Sequence, residues 1–220
     1  MAVCSTTRGP RGKGGSPVDR QAHWQQVYTD KAPDQVIWYQ SEPTLSLELI
    51  AAAGLPPRAA VLDVGGGASR LAGRLLDWGY RPAVLDIAAA LEQTRRGLGG
   101  RADQVAWFEF DITTFHPPHR FDLWHDRAVF HFPTDPADRA AYLATLARTL
   151  NPGGQVVMGA FALDGPTKCS GLEIVQYDAP KLLATLGERF ERLEERREEH
   201  TTPGGGIQNF GFYRLRWLGA

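Results

Sequence analysis

The chain has 220 residues, 43% of them hydrophobic and 22% charged, which fits one soluble globular domain plus a short tail. Lys plus Arg is 24 and Asp plus Glu is 25, so a net charge of −1 gives no drive toward nucleic acid or a membrane surface. No apolar run reaches the ~18 residues that span a bilayer, and two cysteines are too few for a disulfide scaffold or a four-cysteine zinc module.

Residues 1–17 are rich in Gly, Pro, Ser and basic side chains and cannot bury a core, so a disordered tail is expected there, with the folded domain over 18–220. Leu45, Leu49 and Ala52 then fall on one helical face, closed by Gly54. Ala59 to Val64 is an apolar run that ends in three glycines. Ser69 to Trp78 reads as a helix with Gly79 just beyond its end. Pro82 to Asp86 is a second strand, Ala88 to Arg96 a helix, Val105 to Phe110 a third strand and Phe121 to His125 a fourth. Asp135-Pro136 is a strong helix start, an Asp cap with Pro at the first position. That helix ends at Asn151-Pro152-Gly153-Gly154, before a fifth strand over Gln155 to Phe161. Asp178 caps a last helix that Gly187 ends. Phe190 to His200 and Ile207 to Leu218 are two strands with only a short loop between them.

Strands alternating with helices predict βαβ units and a parallel sheet. The last two strands, joined by a short loop, must be antiparallel to each other. The first of them, FERLEERREEH, is so charged that a sheet edge suits it.

The stretch Asp63-Val64-Gly65-Gly66-Gly67 carries the most chemistry. Glycines let a backbone approach a ligand closely. A dinucleotide fingerprint would need a third Gly where Arg70 stands, and no Gly-Lys-Ser/Thr follows for a phosphate loop. An acid two residues before the first glycine suits a cationic amino group better than a pyrophosphate. Asp86, at the end of the second strand, can accept hydrogen bonds from both ribose hydroxyls. Asp111 ends the third strand, within reach of an adenine amino group. Three acids at adjacent strand ends suit a nucleoside that carries positive charge and no phosphate.

These motifs, with the Leu150-Asn151-Pro152-Gly153-Gly154 turn, resemble the class I S-adenosylmethionine-dependent methyltransferases over roughly residues 20–218. The resemblance implies a Rossmann-like, doubly wound, seven-stranded mixed sheet of order 3-2-1-4-5-7-6 with strand seven antiparallel. It implies S-adenosylmethionine as cofactor, with Asp63, Gly65, Gly66 and Gly67 around the methionine part, Asp86 and Ile87 at the ribose, and Asp111 and Ile112 at adenine. His125 and Tyr39 join that cofactor set, and the aromatic segment around Trp24, Tyr28 and Trp38 is expected as a lid. For Trp24, simple packing of a helix onto the sheet competes with that role.

Strand four ends at the reaction. Its sequence, Trp124-His125-Asp126-Arg127, lacks the Asp/Asn-Pro-Pro-Tyr/Phe of amino-directed nucleic-acid enzymes. His125, His131 and His200 are candidate bases, because His is the usual proton acceptor near neutral pH. Asp126 stands with them, although an Asp126–Arg127 ion pair is an equal alternative. Arg127, Lys168, Cys169 and Ser170 are candidate substrate contacts, the last three on a Gly- and Pro-rich loop after strand five. No ligand spacing matches a metal site. The expected function is methyl transfer to a small-molecule acceptor, in a reducing cytoplasm and without nucleic-acid or membrane partners. The arginine-heavy basic set suggests a GC-rich, bacterial coding sequence. The alternatives are a protein lysine methyltransferase or a catalytically silent cofactor-binding domain.

Overall fold

The computed structural model describes residues 19–30, 32–87 and 90–219. The tail expected over 1–17 lies outside them. The spine is a seven-stranded sheet built from β1 (Ala60–Val64), β2 (Arg81–Asp86), β3 (Ala106–Glu109), β4 (Phe121–Arg127), β5 (Leu150–Phe161), β8 (Phe190–Thr201) and β9 (Ile207–Trp217). Its order is β3-β2-β1-β4-β5-β9-β8. The first five strands pair in parallel, and β9 lies antiparallel between β5 and β8. With β8 and β9 as the sixth and seventh strands, this is the expected order. β1 is buried at all five positions, as a central strand covered on both faces must be.

Helices cover both faces: α2 (Thr44–Ala52), α3 (Leu71–Asp77), α4 (Ala90–Leu98), α5 (Pro136–Thr149) and α6 (Ala179–Leu186). The N-caps of α5 and α6 are those the sequence encodes. Asp135 accepts from the Ala137 amide at 2.7 Å, and Asp178 from the Lys181 amide at 2.9 Å. One core joins Trp124, Phe130, Tyr142, Met158 and Tyr213 under α5 and α6. A second joins Leu49, Ile50, Leu71, Leu123 and Phe212 under α2 and α3. The charged β8 is the sheet edge, where Glu194 pairs with Arg214 and Glu191 with Arg216 across to β9.

Two elements differ from expectation. The segment after β5 is not an irregular loop but a small hairpin of β6 (Lys168–Cys169) and β7 (Leu172–Glu173), turned by Ser170 and Gly171 at positive φ. An additional helix, α1 (Arg20–Asp30), lies over the carboxyl ends of the strands and has no buried residue. Its polar composition gives it no core face, so periodicity could not reveal it.

Candidate active site

A cleft with about 850 Å³ of empty space, open to solvent, lies at the carboxyl ends of β1, β2 and β4 under α1. A smaller recess of about 500 Å³ continues behind the glycine turn. Val64, Gly65, Trp38 and Arg127 line both.

The turn between β1 and α3 is held tightly. Gly65 has φ +71°, and its amide donates to the Leu85 carbonyl at 2.7 Å. A Cβ there would lie 2.2 Å from Val129 Cγ2. A Cβ on Gly66 would lie 2.3 Å from Asp63 Oδ2, and one on Gly67 2.6 Å from Asp86 Oδ2. The glycines therefore let the backbone come up to two carboxylates.

Asp63 is buried at the end of β1. Its Oδ1 meets His125 Nδ1 at 2.7 Å, and His125 Nε2 meets Ser46 Oγ at 2.9 Å. Asp63 Oδ2 is buried without a partner among the described residues. A buried carboxylate oxygen left unsatisfied is unfavourable. The recess around it therefore fits a hydrogen-bond donor, above all a cationic one. Asp86 accepts from the Gly67 amide at 3.0 Å and the Ile87 amide at 2.7 Å, so its carboxylate is fixed at the cleft wall. Asp111 accepts from the Thr113 amide and hydroxyl at 2.8 and 2.6 Å and faces Arg20 at 3.4 Å. Ile87 and Ile112 are apolar parts of the same wall. Tyr39 stands at the recess. The structure thus brings the expected cofactor residues to one continuous cavity or, for Gly67, to its supporting turn.

The expected bases are placed differently. Both ring nitrogens of His125 are engaged, so it orients Asp63. His200 Nε2 lies 2.8 Å from the Ile37 carbonyl, which ties a strand end to the segment after α1. His131 is fully buried and stacks on Phe161 at 4.7 Å, outside the cleft lining. Burial holds its pKa down to about 3, so it is neutral. Asp126 points into the core beneath α5. It accepts from the Val129 amide at 2.9 Å and from the Tyr142 hydroxyl, and burial lifts its pKa to about 6. It does not pair with Arg127, whose partner is Glu198.

Of the expected substrate loop, only Cys169 reaches the cleft. Alternation along β6 turns Lys168 outward, where it pairs with Glu173. Ser170 sits in the hairpin turn. Burial pushes the Cys169 thiol up to about 11, which keeps it protonated and unreactive.

Sequence reasoning missed Ser46, Tyr142, Val129, Phe132 and Glu198. Each is an ordinary residue for its element, and only the tertiary fold gives it a polar or lining role. Ala128 is similar: it has φ +70° and lines the cleft, and its amide donates to the Gly159 carbonyl at 2.8 Å.

The glycine turn, the acids at three neighbouring strand ends and the antiparallel seventh strand define a Rossmann-like methyltransferase architecture. Residues 61–154 match the family model described as "Methyltransferase domain". That match spans less than half of the chain, and the motifs within it resemble those of the class I S-adenosylmethionine-dependent methyltransferases. It is 28% identical over 148 residues to a dimethylglycine N-methyltransferase of Parasynechococcus marenigrum (strain WH8102), covering 64% of this chain and 50% of the relative. It is 30% identical over 105 residues to Nodulation protein S of Rhizobium tropici, covering 47% and 44%. The chain thus spans about half the length of these curated relatives or less. Among solved structures, it resembles the 1,6-didemethyltoxoflavin-N1-methyltransferase of Burkholderia thailandensis, solved with 1,6-didemethyltoxoflavin and S-adenosylhomocysteine. There the TM-score is 0.68 at 21% identity, covering 94% of this chain and 93% of that one. The N-methyltransferase NodS of Bradyrhizobium japonicum WM9, solved with S-adenosylhomocysteine, gives 0.66 at 18% identity, covering 89% and 98%.

Proposed function

We propose that the chain, through a domain over residues 18–220, binds S-adenosylmethionine in this cleft and methylates a nitrogen of a small molecule. The observation that carries the reading is the buried, partnerless Asp63 Oδ2 behind a glycine turn with no room for a side chain. A donor's ammonium group satisfies that oxygen, while His125 and Ser46 hold the carboxylate in place. Asp86, a carboxylate on the cleft wall, accepts from the ribose hydroxyls. Asp111 and Ile112 flank the adenine. Nitrogen as the acceptor atom is supported by the relatives, several of which are described as N-methyltransferases.

The bound donor supplies an electrophilic methyl group. As the acceptor lone pair forms the new N–CH3 bond, the S–CH3 bond breaks and its electron pair stays on sulfur. Any proton on the nitrogen leaves to water. His125 and His200 are tied to other groups, His131 is buried away from the cleft, and Cys169 is protonated. The described residues therefore act by positioning, and the nucleophile arrives with its own lone pair. No helix among the described residues is long and apolar enough to cross a membrane. A bacterial cytoplasm, with no nucleic-acid partner, is the setting that fits the composition and the bacterial relatives.

The test is calorimetry with S-adenosylhomocysteine. Wild type binds it and ignores NAD, and Asp63→Asn weakens binding by more than about tenfold, the worth of one charge-assisted contact. No heat from S-adenosylhomocysteine, or tight NAD binding, overturns the reading.

A further inference from the structure

The acceptor side of the cleft carries chemistry of its own, whose assignment rests on the cleft being the S-adenosylmethionine site. Arg127 ends β4 and lines both halves of the cavity. Its side chain is only 9% exposed. One terminal nitrogen donates to the Trp38 carbonyl at 2.8 Å, and the other reaches Glu198 at 3.4 Å, longer than a good charge-assisted contact. The guanidinium lies over the Phe210 ring, 4.8 Å from its centroid. Its Nε–H is buried and has no partner among the described residues. An unmet donor on a buried cation is unfavourable, and on a residue that lines the cavity it favours an acceptor oxygen there.

The apolar walls nearby are aromatic. Trp24 stands edge-to-face with Trp38 at 5.7 Å and with Phe132 at 5.2 Å, and all three line the cleft. Among the described residues, the carboxylates lining the cavity are Asp63, Asp86 and Asp111, all of them assigned to the donor. A cationic acceptor would therefore face a guanidinium with no lining carboxylate left to balance it. A flat ring instead gains contact area against the indoles at little entropic cost.

We propose that the methyl acceptor is a planar aromatic or heteroaromatic molecule bearing a carbonyl or carboxylate oxygen, which accepts the Nε–H of Arg127 while the ring lies against Trp24 and Phe132.

The experiment uses the full chain saturated with S-adenosylhomocysteine. Three probes are titrated calorimetrically: benzimidazolone, its carbonyl-free partner benzimidazole, and the cation benzylamine. Benzimidazolone binds about tenfold more tightly than benzimidazole, roughly the 1.4 kcal/mol of one added hydrogen bond, and benzylamine binds most weakly. Arg127→Lys keeps the charge but loses the Nε–H, and the preference for the carbonyl collapses to below about twofold. Glu198→Gln leaves Nε–H in place and keeps the preference. Equal affinity within the matched pair, tighter binding of benzylamine, or no binding by any probe overturns the proposal. So does a carbonyl preference that survives in Arg127→Lys. If that variant fails to fold, as its own S-adenosylhomocysteine titration shows, the wild-type and Glu198→Gln comparisons decide. Failure of wild type to bind S-adenosylhomocysteine is a separate readout. It overturns the donor reading, and this proposal falls with it.

Discussion

A single buried oxygen, Asp63 Oδ2, has no partner among the described residues, and the glycine turn packs directly against it. Gly66→Ala places a methyl group 2.3 Å from that oxygen. It is expected to weaken S-adenosylhomocysteine binding by more than about tenfold while the chain stays folded, measured by calorimetry beside circular dichroism. His131 makes the opposite kind of statement, since it is buried with both ring nitrogens unpartnered among the described residues. Its folded pKa of about 3 lies below the ordinary 6.5, so the unfolded chain binds the extra proton between those values. Stability is therefore present above about pH 6.5 and is lost as pH falls toward 3. Asp126 works the other way. Its folded pKa of about 6 lies above the ordinary 3.8, so its contribution is full below 3.8 and is lost as pH rises through 6. Comparing wild type with His131→Phe cancels the Asp126 effect. Urea unfolding should show wild type losing about 1.4 kcal/mol per pH unit relative to the variant from about pH 6 to pH 4. Parallel stability curves would remove His131 as the cause.

The end of β4 is one cooperative device. Alternation sends Trp124 and Asp126 to the α5 face, and His125 and Arg127 to the cleft face. On the α5 side, the Tyr142 hydroxyl donates to Asp126 and accepts from Trp124 Nε1 at 3.1 Å. Asp126 in turn holds the Val129 amide, which keeps Ala128 in its left-handed conformation beside the cleft. Tyr142→Phe leaves a buried carboxylate short of a donor. It should lower stability by about 1–3 kcal/mol at neutral pH, and by less at about pH 4, where Asp126 is protonated. Chemical denaturation at both values checks this. The β6–β7 hairpin shows how element type changes which residues matter. Read as a loop, it offers Lys168, Cys169 and Ser170 together. Once it pairs, alternation sends only Cys169 to the cleft.

On the scale of the whole molecule, the sheet is the rigid part and α1 the adjustable one. α1 has no buried residue, yet Trp24 and Tyr28 on it roof the cleft. Segments with few buried contacts open most readily. Amides of α1 should therefore exchange hydrogen faster than those of α2 to α6, and slow on addition of S-adenosylhomocysteine. Fast exchange unchanged by ligand would mean that α1 is not part of the binding site.

The sequence by itself determined the alternation of strands and helices, the charged edge strand, the Asp135 and Asp178 caps and the three acids at neighbouring strand ends, while the sheet order followed from the family resemblance. Each of the sequence signals is local: a period, a cap residue, a glycine run or an acid at a strand end. Tertiary structure decided the fate of the three histidines, the Asp126–Tyr142 contact, the Arg127–Glu198 pair and the helical form of the roof over the cleft. The partners in these contacts are far apart in sequence: 79 residues separate Ser46 from His125, and 71 separate Arg127 from Glu198. Whether such a side chain faces a ligand or a distant partner depends on which strand ends are brought together, and that is fixed only when the whole sheet has closed around its core.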